Sequence, residues 1–155
     1  MSALLLDPSR WFQLAIASAA LVAYASRRRL DAAAAMNRCF GVVLVVMATG
    51  HVTAISYKLA HEALPATTSQ FAIPMGILLA LPALWLAVRP ASERAALALN
   101  GWLAGALVVL GPSAPLAIPA LLNIAHVFRH GRALLVAQLV VYGAMFVASF
   151  FVPSF

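Results

Sequence analysis

The feature that most constrains this chain is the run Met36–Ala60, MNRCFGVVLVVMATGHVTAISYKLA, apolar almost throughout and bracketed by Arg38 and Lys58. At about 1.5 Å of rise per residue, the roughly twenty residues between the two cations form a helix about 30 Å long, the thickness of a bilayer's hydrocarbon core. One histidine, His51, lies well inside it. An ionisable group at that depth is costly and is a functional candidate on that ground alone.

Composition extends the argument to the whole chain. Of 155 residues, 65% are hydrophobic and 9% charged, with a mean hydropathy of +0.99. Soluble domains carry about a quarter charged residues, so this chain lacks the polar groups to cover a water-exposed surface. The expectation is an all-α integral membrane protein. Its apolar runs are continuous and rich in Ala and Leu rather than alternating, which favours helices over a barrel.

Six spans are expected, at about 11–26, 38–59, 71–88, 95–110, 116–128 and 133–152, in one compact domain. Asp7-Pro8-Ser9 starts the first, with Asp7 or Ser9 as N-cap and Pro8 in the first turn. The N-terminus lacks the basic stretch and small-residue cleavage site of a signal peptide, so this run reads as a retained span. It stops at Arg27-Arg28-Arg29. The third span carries Pro74 and Pro82 and should kink. The fourth has Gly101 and Gly105 at the spacing that lets another helix approach closely. The fifth is short and broken by Pro119. If it crosses the membrane, eight Lys and Arg residues fall on one side and two, Arg10 and Lys58, on the other. Such a bias assigns the arginine-rich loops to the cytoplasm, as in a bacterial inner membrane protein. A re-entrant fifth segment, which moves Arg129 and Arg132 across, is the alternative.

The net charge of +6 does not point to nucleic acid, because the cations sit at the ends of apolar runs. The single cysteine, Cys39, excludes an internal disulfide and a cysteine-based metal cluster. No span contains Asp or Glu, which weakens a carboxylate-based proton-coupled transporter.

Two polar groupings are candidate sites. At the outer end of the second span, His51, Tyr57, Lys58, His61 and Glu62 bring together imidazole, phenol, amine and carboxylate, the groups of an acid–base or metal-dependent enzyme. The plainer reading is solvation and anchoring at a helix terminus. Thr49 and Thr53 form a stripe that would line a pore or cavity; alternatively their hydroxyls bond back to their own helix. In the fifth segment Asn123 and His126 share a face suited to a quinone carbonyl, a lipid phosphate or a metal, or to simple interhelical hydrogen bonding. His51, Thr53, Asn123 and His126 are thus the ligand-binding candidates. Haem held by His51 and His126 is disfavoured: in the six-span arrangement the two differ in depth by some 15 Å. No metal set is assigned.

Together these readings favour a non-catalytic membrane component that binds an apolar partner: a lipid, a quinone or another membrane subunit, including a second copy. A membrane-embedded enzyme acting on a lipid-like substrate and a small channel are the alternatives.

Overall fold

The computed structural model describes residues 7–28, 30–61, 66–110 and 114–151, with side chains throughout except at 66–73 and 75. Among the described residues there are six α-helices and no strand: α1 (Pro8–Ser26), α2 (Ala32–His61), α3 (Ala66–Val88), α4 (Glu93–Val109), α5 (Ala117–Phe128) and α6 (Arg132–Ala148), with a 3₁₀ turn, Ala114–Leu116, leading into α5. Each expected segment corresponds to one helix, and the boundaries differ by a few residues. The second helix begins at Ala32, where Asp31 Oδ1 accepts from the Ala34 N–H at 2.7 Å and satisfies one of the free donors of the first turn. Asp7 does the same for α1, accepting from the Ser9 N–H at 2.9 Å and the Ser9 hydroxyl at 2.6 Å. Ser92 caps α4 through Ala95. Both prolines of the third helix are accommodated within one continuous element.

By length and composition, α2 is the one helix among the described residues able to cross a membrane; Ala114–Phe128 and Arg132–Ala148 are apolar but shorter. Six helices stand where six spans were expected, and one of them passes that test. For α4, α5 and α6 the physical reason is length: helices of 12 to 17 residues reach only about 18–26 Å.

The longest helix is also the central one. Its largest contacts are with α1 and α3, and it also meets α5 and α6; α4 packs mainly on α5. Two glycines explain why α2 is approached so closely. A Cβ on Gly41 would lie 2.5 Å from the Ala83 carbonyl oxygen and from the Ala87 nitrogen, so the backbones of α2 and α3 touch there. Gly50 seats the indole of Trp11, bringing α1 down onto the same helix. Gly101 and Gly105 behave differently: nothing lies within 4 Å of a Cβ at either. The close approach expected at that pair is not made inside this chain; it occurs at Gly41 and Gly50.

Met36, Cys39, Phe40, Val43, Leu86 and Leu103 fill the centre. The Cys39 thiol donates a long contact to the Ala19 carbonyl at 3.5 Å. Around this centre the polarity is inverted. Every helix exposes large apolar side chains, among them Leu21, Leu59, Leu81, Val109, Leu121 and Val140, while Asn37, Asn100, Asn123, His126 and Gln138 are buried.

Candidate functional site

All three asparagines of the chain meet in the interior, together with one glutamine. Asn37 lies in the second turn of α2 and Asn100 in the third of α4. Asn123 is in the last two turns of α5, and Gln138 is in the second turn of α6. The antiparallel run of α4, α5 and α6 puts these four positions at one level, roughly 8–11 Å in from the helix ends that carry the arginine-rich turns.

Their amides join head to tail. Gln138 Nε2 donates to Asn123 Oδ1, Asn123 Nδ2 to Asn100 Oδ1 and Asn100 Nδ2 to Asn37 Oδ1, each at 2.8 Å. Asn37 Nδ2 closes the chain on the Ala33 carbonyl at 3.0 Å, and Asn100 Nδ2 also reaches the Ala96 carbonyl at 2.8 Å. Four helices are thereby tied in one plane by amides oriented in one direction, an arrangement in which each bond polarises the next. Three buried groups beside it have no hydrogen-bond partner among the described residues: Gln138 Oε1, the Tyr142 hydroxyl and both ring nitrogens of His126.

Next to this layer a pocket of about 60 Å³ opens where the starts of α2 and α4 meet the end of α5. Asn37, Asn123 and His126 line it from inside and Glu93 and His130 at its rim, with Ala33, Met36 and Ala91 among its apolar walls. The rim pair is solvent-exposed; His130 Nε2 and Glu93 Oε1 are 3.9 Å apart, beyond hydrogen-bonding range. The His126 and His130 rings, one turn apart, have centroids 5.7 Å from each other. Among the described residues no three His, Cys, Asp or Glu side chains are disposed to hold a metal. The pocket thus sets an exposed carboxylate and imidazole at its rim beside a buried imidazole, His126, whose ring nitrogens are themselves covered.

The other sequence candidates lie elsewhere. His51, Lys58 and His61 are exposed, Thr53 and Tyr57 are half-buried, and Glu62 lies outside the described residues. The Tyr57 and His61 rings stack at 4.2 Å, and His61 Nδ1 contacts the Tyr57 carbonyl at 3.0 Å. Thr49 and Thr53 donate to the carbonyls four residues back, each at 2.8 Å. Every one of these contacts stays within α2. Of the ligand-binding candidates, Asn123 and His126 come together in the pocket, while His51 and Thr53 do not reach it.

Sequence reasoning passed over Asn37, Asn100, Gln138, Glu93 and His130. A signal existed for the amides: Asn and Gln recur in four apolar segments at similar distances from the arginine-bearing ends. Glu93 and His130 sit in polar turns, where nothing local distinguishes them from solvated residues. Comparison with protein families, curated proteins and solved structures finds no match for this chain, so the site is read from its own geometry.

Proposed function

We propose that this protein is a polytopic integral membrane component without catalytic activity, whose task is to bind an apolar or amphiphilic partner. The observation that carries this reading is the inverted polarity: large apolar side chains face outward on all six helices, while a hydrogen-bonded amide layer lies inside. In water that arrangement exposes far more contiguous apolar surface than a soluble monomer carries. In lipid it is favourable, since the acyl chains accept the apolar exterior and interior polar groups satisfy one another. The short helices are accommodated by tilt or local thinning of the bilayer. The arginine-rich turns are assigned to the cytoplasmic face of a bacterial inner membrane, and the pocket beside them to headgroup level.

Binding rather than chemistry is favoured because an unpartnered buried imidazole, His126, belongs to the pocket's wall, and among the described residues no metal set is assembled. The test is extraction of membranes holding the full chain with alkaline carbonate, followed by lipid analysis of the detergent-purified protein. Retention in the membrane with co-purifying lipid is the expected result. Release as a folded protein needing neither detergent nor lipid would end the proposal.

A further inference from the structure

We infer that the arginine-bearing end of the bundle binds anionic phospholipids, holding their phosphates at the α1–α2, α3–α4 and α5–α6 turns, with Arg27 and Arg89 as the ordered contacts. The inference rests on the membrane reading above and names the class of lipid that this face selects.

The three turns are short, at 27–31, 89–92 and 129–131, and each brings exposed arginines to this end. Arg27 and Arg28 stand in the first, Arg89 and Arg94 in and just past the second, Arg129 and Arg132 in and just past the third. Their charge is not offset. Of the chain's four acidic residues, only Asp31 and Glu93 lie at this end. Asp31 caps α2, and Glu93 faces His130 at 3.9 Å. Among the described residues, none of the six arginines is in an ion pair. Membrane topology alone asks for cations and counts lysine and arginine alike. Here the one lysine, Lys58, is at the opposite end, and this end carries arginine throughout. A guanidinium meets a phosphate through a planar fork of donors, which an ammonium lacks.

What points to a lipid rather than another polyanion lies one helical turn below these arginines. Tyr24 is three residues from Arg27, Trp85 four from Arg89 and Val136 four from Arg132, and all three are exposed. That spacing puts each on the same helix face as its arginine, about 5 Å further into the apolar belt. A phospholipid presents the same order, phosphate first and acyl chain beneath it. At two of these places the guanidinium is already positioned. The Arg27 guanidinium carbon sits 3.6 Å from the Tyr24 ring centroid, and Nη1 donates to the Tyr24 carbonyl at 3.2 Å. The Arg89 guanidinium carbon is 5.2 Å from the Trp85 ring centroid. Such stacking holds the side chain in place and leaves most of its five N–H donors for a ligand, so less freedom is lost when a headgroup binds. Net charge then separates one lipid from another. A zwitterionic headgroup brings a cation of its own up to the arginines, whereas an anionic one brings only what they attract.

Native mass spectrometry tests this on the full chain, released from mixed micelles of chain-matched phosphatidylglycerol and phosphatidylcholine. Micelles remove any influence of the charges on membrane insertion and leave binding alone. The expected result is about tenfold preferential retention of phosphatidylglycerol, the scale of one or two cationic contacts with an anionic headgroup. The preference should fall to about twofold in the double variant Arg27→Gln/Arg89→Gln and stay unchanged in Arg10→Gln, at the opposite end. Arg27 and Arg89 are exposed and carry no ion pair, so their replacement leaves the fold intact. Equal retention of the two lipids overturns the inference. So does a preference that survives the double variant, or one that falls as far in Arg10→Gln. None of those results removes the protein from the membrane in carbonate extraction, so the membrane reading is judged separately.

Discussion

The two halves of α2 hold their polar side chains in opposite circumstances, few in the first and many in the second. In the first half, Asn37 is buried and shares its amide with α4, while Cys39, Phe40 and Gly41 press against α1 and α3. In the second half, Thr49, His51, Lys58 and His61 are exposed, and the hydrogen bonds made by Thr49, Thr53 and His61 return to α2 itself. The lesson concerns convergence. A dense polar patch on one helix needs no neighbour, because hydroxyls and imidazoles find carbonyls one turn back. A sparse set of amides, one per helix, has no such local solution and becomes a site when four helices bring it to one level.

The sharpest way to break this contrast is at the glycine that permits it. Gly41→Leu places side-chain atoms against the backbone of α3, which cannot yield as a flexible side chain would. A loss of about 3 kcal/mol, or failure to fold, is expected in detergent unfolding. Gly101→Leu, in open space, should stay within about 0.5 kcal/mol of the parent.

A smaller effect, about 2 kcal/mol, is expected of Asn100→Ala. It orphans both Asn37 Oδ1 and Asn123 Nδ2, and each unsatisfied buried group carries a penalty. Thr53→Ala, which removes a bond made to its own helix, should change the midpoint little. Were the two variants to cost the same, the amide layer would have no special place in the fold.

Coupling between helices sharpens the comparison further. A double-mutant cycle on Asn123→Ala and Gln138→Ala should give an interaction energy of about 0.5–1.5 kcal/mol. The same cycle on Tyr57→Ala and His61→Ala, a stacked pair within one helix, should give no more than about 0.5 kcal/mol.

The smallest effect is at the start of α1. The Ser9 hydroxyl bonded to Asp7 holds the Asp7 carboxyl below its ordinary value, with lesser help from the Ser9 N–H and Arg10. A depressed folded-state pKa means stability present above the usual carboxylate range and lost as pH falls through the folded value. Acid titration of the midpoint should therefore show a slight drop that Asp7→Asn abolishes.

Much of the fold was legible in the sequence because apolar runs, caps and breakers act locally. Asp7-Pro8 and Arg27 mark ends that the structure keeps. The close contacts were not legible, since Gly41 and Gly101 look alike in sequence and differ only in what lies opposite. The candidate site was legible by half. Asn123 and His126 stood out as polar residues within a short apolar helix, whereas Asn37 and Asn100 acquire meaning through partners 63 and 23 residues away in the chain. His51 lies deep within a single apolar run yet is exposed, since depth along a run does not show which way a side chain turns.

The central claim is that the apolar exterior faces lipid. Trp102, half-exposed on α4, reports on it directly once Trp11 and Trp85 are replaced by phenylalanine and the protein is placed in vesicles with brominated acyl chains. The account predicts strong quenching of Trp102 fluorescence relative to unbrominated lipid. Equal brightness in the two lipids, from a protein that stays folded without either, would contradict it.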